Sequence, residues 1–276
     1  MVTPQQKRAA VKIIHKHKIS IRKACEIIEI KRSTFHYCSK MIQKDQALMV
    51  KIKRLSERYP GFGYRRITVM PENKYDIHIN PKRVYRLWKI MHLQLPKKRP
   101  KKRRLGNDSV QLVSVKKNHI WSYDFLSDRC ANGQKLKILA VIDEYTRECL
   151  ALEVAGSIRS NHLINTLSRL MTLHGKPQFI RSDNGPEFTS KAVISWLSQN
   201  SIETAFIKPG SPWQNGFVES FNGKFRDECL SREWFLDRRD AKVLIEKWRH
   251  FYNHERPHSA LLNKTPAEVS GRSYAA

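Results

Sequence analysis

The spacing of apolar residues along this chain changes period part-way through. In the first third, apolar positions recur every three to four residues, the period of helices that bury one face. Residues 1–42 contain QQKRAAVKIIHKH, SIRKACEIIEI and KRSTFHYCSK, in which Ala24, Ile27, Ile28, Ile30 and Phe35 are spaced as the core of a helix-turn-helix whose last helix starts near Ser33. Glu29 stands where the tight turn favours glycine, a left-handed position that strains a side chain by roughly 1 kcal/mol. A second helical block, residues 43–95, reads as an amphipathic helix, a Gly-containing turn, a short helix carrying Arg65 and Arg66, and a helix entered at Asn80-Pro81 whose Lys82, Arg83 and Arg86 share an exposed face; these five cations are candidate DNA contacts, the alternative for the exposed face being plain solvation.

After residue 118 the pattern becomes that of strands. HIWSYDFLSD, KLKILAVIDEYTR and CLALEVAG are apolar, partly alternating runs joined by short connections at Asn132-Gly133 and Arg147-Glu148, the signature of an antiparallel meander. A helix (SNHLINTLSRLMTLHG), a strand (QFIRSD), a helix (SKAVISWLSQNS), a strand (ETAFIK) and one long helical region from about Asn215 to Asn253 follow. This βββαβαβα order is that of the ribonuclease H fold. It predicts an α/β domain over residues 119–270, a five-stranded mixed sheet flanked by helices, preceded by the two small all-α modules.

Charge separates these regions. Residues 1–118 hold 31 basic and 7 acidic residues, a net charge of +24, whereas residues 119–276 hold 21 and 18, a net charge of +3. An imbalance of +27 over the chain calls for a polyanionic partner, with nucleic acid first and an anionic membrane surface second. No run approaches the ~18 apolar residues of a spanning helix, and MVTPQQKRAA lacks the apolar stretch of a signal peptide, so a cytoplasmic, DNA-associated protein is expected. Between modules and core lies residues 96–118, a basic linker. Its run Lys97, Lys98, Arg99, Lys101, Lys102, Arg103 and Arg104 has no apolar face to bury, stays extended and suits phosphate tracking. The five cysteines are dispersed without a C-x-x-C pair, which argues for buried thiols and against both a disulfide framework and a cysteine zinc site.

Three acids fall where a ribonuclease H layout places metal ligands: Asp124 inside the first strand, Asp183 at the end of the fourth and Glu219 on a late helix. Phosphodiester cleavage needs an oxygen cage for hard cations, which carboxylates supply. Asp124 interrupts an apolar strand, and Glu219 stands among Phe217, Val218 and Phe221, settings in which an unpaired charge is costly. Asp128, Asp143, Glu144, Asp227 and Glu228 lack that combination of setting and spacing. Glu187 is a lesser candidate beside the site, while Asn184 and Gly185 shape the turn after Asp183. The loop Lys208 to Asn215 leads into the Glu219 helix, with Asn215 as its N-cap and with Lys208, Trp213 and Gln214 as DNA contacts. His254 and His258 are separated by Pro257, which breaks the helical face a metal pair would need, and Arg256 beside them is a candidate phosphate contact.

WSYDF, then SDNGPEF, then 35 residues between Asp183 and the glutamate of PGSPWQNGFVESFNGKFRDE, resembles the DD(35)E signature of insertion-sequence transposases. With GYRRI upstream and WRHFYNHERPHSALLNKTPAEV near the C-terminus, the chain resembles the integrase-core transposases of copy-out, paste-in elements encoded by two overlapping reading frames. The resemblance implies a transposase that cleaves and joins DNA, with Asp124, Asp183 and Glu219 binding Mg²⁺ (or Mn²⁺), two ions per site when DNA is present. It implies double-stranded DNA partners, the element ends and the target, a homo-oligomer on DNA, and the upstream-frame product as a further partner. Family members often carry an additional N-terminal segment made by frameshifting, and VMPENKYDIHIN is shorter than its usual counterpart. An alternative is therefore a non-catalytic DNA-binding regulator that needs a longer fusion for activity. A ribonuclease H-type nuclease, cutting without joining, would not need the basic modules.

Overall fold

The computed structural model describes residues 3–37, 41–75, 79–96, 112–183, 185, 190–206 and 215–271. Contacts divide the chain into two compact units, Met1–Tyr59 and Pro60–Ala276.

In the first unit, α1 (Pro4–Lys16), α2 (Ile21–Ile27) and α3 (Arg32–His36) precede α4 (Met41–Arg58). The helix α1 starts with a capping box in which Thr3 and Gln6 satisfy each other's backbone donors. Ser20 caps α2 by accepting from the Lys23 amide. Val11, Ala24, Cys25 and Ile30 form the small core, with Ile14, Ile21, Ile28 and Phe35 packed around it. The α2–α3 turn does use a left-handed residue at Glu29, with φ 52°. Its carbonyl accepts from Lys7 Nζ at 3.2 Å, and Arg8 Nε donates to the Thr34 carbonyl at 2.8 Å, so α1 is tied to both sides of the turn.

The second unit opens with α5 (Tyr64–Tyr75) and α6 (Pro81–Ile90), which pack together. Asn80 caps α6 by accepting from the Lys82 amide at 2.8 Å, and Pro81 occupies the first turn, where a missing N–H costs nothing. Val84, Leu87 and Trp88 form the buried face of α6, and Tyr64 of α5 lies 4.7 Å from Tyr85. Phe62, just before α5, stacks on Phe251 of the helix Arg238–His254, ring centroids 6.1 Å apart.

The sheet has the order β3-β2-β1-β4-β5, built from β1 (Ile120–Arg129), β2 (Lys135–Asp143), β3 (Cys149–Ala155), β4 (Phe179–Ser182) and β5 (Glu203–Phe206). The meander is antiparallel and β4 and β5 run parallel to β1, giving the mixed ribonuclease H-like sheet. Alternation along the strands divides the core. Trp121, Tyr123, Leu139 and Val141 face α7 (Ser160–His174) and α8 (Lys191–Gln199). Leu126, Ile138, Ala140 and Ile142 face α9 (Gly216–Phe225) and α10 (Arg238–His254). Asn253 pins α10 to the sheet, since its amide both accepts from the Cys149 N–H and donates to the Cys149 carbonyl, each at 2.9 Å.

The long helical region expected from about Asn215 to Asn253 consists of two helices. A π-helical turn at Arg226–Leu230 ends the first, and Asp237 starts the second by accepting from the Arg239 and Asp240 amides. This break lets both helices lay aromatic faces on the same side of the sheet, with Phe221, Phe225, Trp248 and Tyr252 in mutual ring contact. Among the described residues no helix is long and apolar enough to cross a membrane. Cys25, Cys130, Cys149 and Cys229 are free and buried.

Candidate active site

Asp124 shares a face of β1 with Ser122 and Leu126 because every second residue points the same way, and its cross-strand partner is Ala140. That face is the one covered by α9. The Asp124 carboxylate is half-buried and fixed at both oxygens: Oδ1 accepts from the Phe125 N–H at 2.7 Å, and Oδ2 accepts from Asn222 Nδ2 of α9 at 2.7 Å. Its pKa is pushed up to about 6, first by burial, with the negative charges of Asp183 and Glu219 adding to the shift.

Asp183 follows directly after β4, and its Oδ1 accepts from the Gly185 N–H at 3.0 Å, a turn that leaves the carboxylate exposed. Glu219 lies in the first turn of α9. The expectation that apolar neighbours surround it does not hold: Val218 and Phe221 turn into the core, while Glu219 points to solvent. Three elements thus bring three carboxylates close enough for two of them to disfavour ionisation of the third. Among the described residues, no three acidic, His or Cys side chains already stand close enough to hold a metal ion.

Residues 114–212 match the Integrase core domain family, and residues 200–266 match a second family of the same description. Residues 43–102 match the HTH-like domain family. An insertion element IS476 protein of Xanthomonas euvesicatoria is 38% identical over 98% of this chain and 78% of its own length. An insertion element IS407 protein of Burkholderia multivorans is 36% identical over 94% of each chain. The putative transposase InsK of element IS150 in Escherichia coli is 26% identical over 89% of this chain and 92% of its own. The protein belongs to the DDE transposases of insertion elements. Among solved structures, the HTLV-2 integrase catalytic core in complex with magnesium is 21% identical, covering 55% of this chain and 96% of that one with a TM-score of 0.43.

Within this transposase, Lys82, Arg83 and Arg86 are exposed on α6, and Arg65 is exposed on α5, its Nε donating to the Tyr64 hydroxyl at 3.2 Å. Arg66 and Arg256 are placed otherwise than expected. Arg256 is 1% exposed, with Nε and Nη2 each 2.7 Å from a Glu228 oxygen, and Arg66 Nη1 shares the same carboxylate at 3.2 Å. Their charges are engaged by Glu228, so Arg256 is not a surface phosphate contact. Lys97, Lys98, Arg99, Lys101, Lys102, Arg103, Arg104, Lys208, Trp213 and Gln214 lie outside the described residues, as do Asn184 and Glu187. Asn215 does occupy the N-cap position of α9 but makes no capping hydrogen bond, and its Oδ1 is buried without a partner.

The acids set aside from the site have structural work. Asp143 accepts from the Asn118, Tyr145 and Thr146 amides and so shapes the β2–β3 turn. Glu144 is buried against Arg181, at 2.8 and 2.9 Å, and accepts from the Ser122 hydroxyl. Both are more buried than the three candidate ligands, yet their oxygens are taken by internal donors. His258 is buried, its pKa lowered to about 3 by burial first and by Arg256 next, which leaves it neutral. Asn222 escaped sequence reasoning. Its one available signal was position, three residues after Glu219 and therefore on a neighbouring part of the same helix face.

Proposed function

We propose that this transposase nicks DNA and joins the freed end by direct transesterification, with Asp124, Asp183 and Glu219 acting as one DD(35)E unit that holds Mg²⁺ or Mn²⁺, two ions per site when DNA is bound. The observation that carries the reading is Asp124. A half-buried carboxylate pushed to about 6 by burial and by two more carboxylates, from two other elements, is a charge arrangement that a cation relieves. An all-oxygen donor set fits hard divalent ions better than zinc or copper. When bound, such ions supply charge stabilisation at the attacking and leaving oxygens of the phosphodiester.

The chain's own groups do the positioning. Asn222 and the Phe125 amide hold both Asp124 oxygens and so orient the carboxylate. Glu219, in the first turn of α9, presents its carboxylate at the N-terminal end of that helix. The exposed cations Arg65, Lys82, Arg83 and Arg86 are proposed phosphate contacts on double-stranded DNA. The basic run from Lys97 to Arg104 and the loop residues Lys208, Trp213 and Gln214 extend that contact set, and two element ends would be bridged by a homo-oligomer.

The test is to incubate the full chain with Mg²⁺ and a duplex carrying cognate element ends, and to resolve the strands. Joined single strands are the expected product. Nicks without joining would reduce the protein to a nuclease, and tight binding without either product would make it a regulator.

A further inference from the structure

The segment from Tyr252 to Ala260, which contains the HERPHSA sequence, closes one side of a cavity of about 370 Å³ whose other walls come from α5, α9 and the β2–β3 turn. Its polar lining includes Arg66, Arg147, Ser220, Lys224, Arg256 and Ser259. Arg66 and Arg256 are held together by Glu228. Arg147 and Lys224 form no ion pair among the described residues. Lys224 Nζ donates to Ser220 Oγ at 3.1 Å. Arg147 lies 3.8 Å over the Phe217 ring, and its Nε is buried without a hydrogen-bond partner. The nearby carboxylate of Glu144 is already engaged by Arg181 and Ser122.

Four cations therefore converge with Glu228 as the one carboxylate paired directly to any of them among the described residues, Glu144 and Asp143 acting on Arg147 only through space, in a concavity whose apolar wall includes Ile142, Phe217 and Phe221. The crowding is felt by Lys224, whose pKa is pulled down to about 8, first by burial and then by Arg256 and Arg66. A positive excess that is only partly compensated in a half-dry cavity is unfavourable until an anion enters it.

We propose that this cavity is a phosphate-binding site, taking a phosphate group between Arg147, Lys224 and the hydroxyls of Ser220 and Ser259. A planar guanidinium, an ammonium and hydroxyls converging from several directions match the several oxygens of a phosphate, and charge-assisted bonds of this kind are the stronger ones. Ser220 and Lys224 are one turn apart on α9, beside the face that carries Glu219 and Asn222. The site thus shares a helix with the acidic residues without including them, and it stands whether or not the chain joins strands.

The phosphate can come from a DNA backbone or from a free anion, and two measurements on the full chain separate the sources. The first compares thermal unfolding in inorganic phosphate and in chloride at equal ionic strength, for the parent, Lys224→Met, Arg147→Gln and the exposed control Lys242→Met. Free-phosphate binding raises the midpoint of the parent and the control alone, with the folding constant rising about elevenfold at ten times Kd. The second maps ethylation interference on a bound duplex. A backbone phosphate whose interference disappears in Lys224→Met, with no midpoint shift in phosphate, identifies DNA as the source. In chloride, Lys224→Met should unfold no earlier than the parent, since it removes crowded positive charge. Earlier unfolding there, or no phosphate shift together with an unchanged interference map, overturns the proposal.

Discussion

Asn222 Nδ2 donates to Asp124 Oδ2 at 2.7 Å, joining α9 to the middle of β1 across the site. The other Asn222 atom, Oδ1, is buried without a partner, so the amide is fixed by this one bond. Groups that orient a ligating carboxylate typically matter by 10- to 100-fold in metal affinity or activity. Asn222→Ala should therefore lower the joining rate by about 10- to 100-fold, leave duplex affinity unchanged, and be partly rescued by raising Mg²⁺. Rates measured across a Mg²⁺ titration check this, and a loss that excess Mg²⁺ cannot touch would mean a purely structural role.

The raised pKa of Asp124 has a sign in the stability curve. A carboxylate held above its ordinary value favours the folded state while protonated, so the contribution is complete below about pH 4 and is lost as pH rises through about 6. Allowing for partial solvent screening, Asp124→Asn should stabilise the metal-free protein at neutral pH by about 1 to 2 kcal/mol. Urea unfolding at pH 7 and pH 4 reads the difference. The gain should vanish at the lower pH and shrink when Mg²⁺ is added.

Glu228 is the partner of two arginines from distant parts of the chain, and its loss leaves both buried or half-buried charges unmatched. Breaking such a pair costs about 3 to 5 kcal/mol. Glu228→Gln should lose close to that much by chemical denaturation, with little dependence on salt. A change below about 1 kcal/mol would place the pair among weak surface bridges.

The exposed face of α6 should contribute affinity without sequence preference. Replacing Lys82, Arg83 and Arg86 together by Gln should weaken specific and random duplexes alike and reduce the slope of log K against log salt by about 0.9 for each phosphate that is no longer neutralised. Weakening confined to the cognate sequence would assign these residues to base readout instead.

Much of the fold is legible in the sequence because strands that bury both faces and helices that bury one leave different periods. The position of Asp124 is legible for the same reason, since a carboxylate in an apolar strand breaks the pattern it sits in. Glu219 is found by its spacing from Asp183, whereas its surroundings are not: a helical residue between Val218 and Phe221 can face away from both. The Glu228 pairing is invisible because Arg66 lies 162 residues away, and no local pattern reports such an ion pair. Arg256 is hidden for the same reason, its polar neighbours reading as a surface segment although Glu228 buries it. The helix break after Leu230 has no Gly or Pro to mark it, and a π-helical turn leads α9 into it.

The acidic unit is tested most directly by strand cleavage and joining in Mg²⁺ with Glu219→Gln, Asp124→Asn, Asp183→Asn and the control Asp128→Asn. Each of the first three should fall by orders of magnitude while folding and duplex binding persist, and double variants should lose little more than single ones, because the three act as a unit. Asp128, whose Oδ1 accepts from the Arg129 N–H at 2.8 Å on an exposed part of β1, should be close to silent. Near-normal joining by Glu219→Gln, or loss of joining in Asp128→Asn, would contradict the assignment.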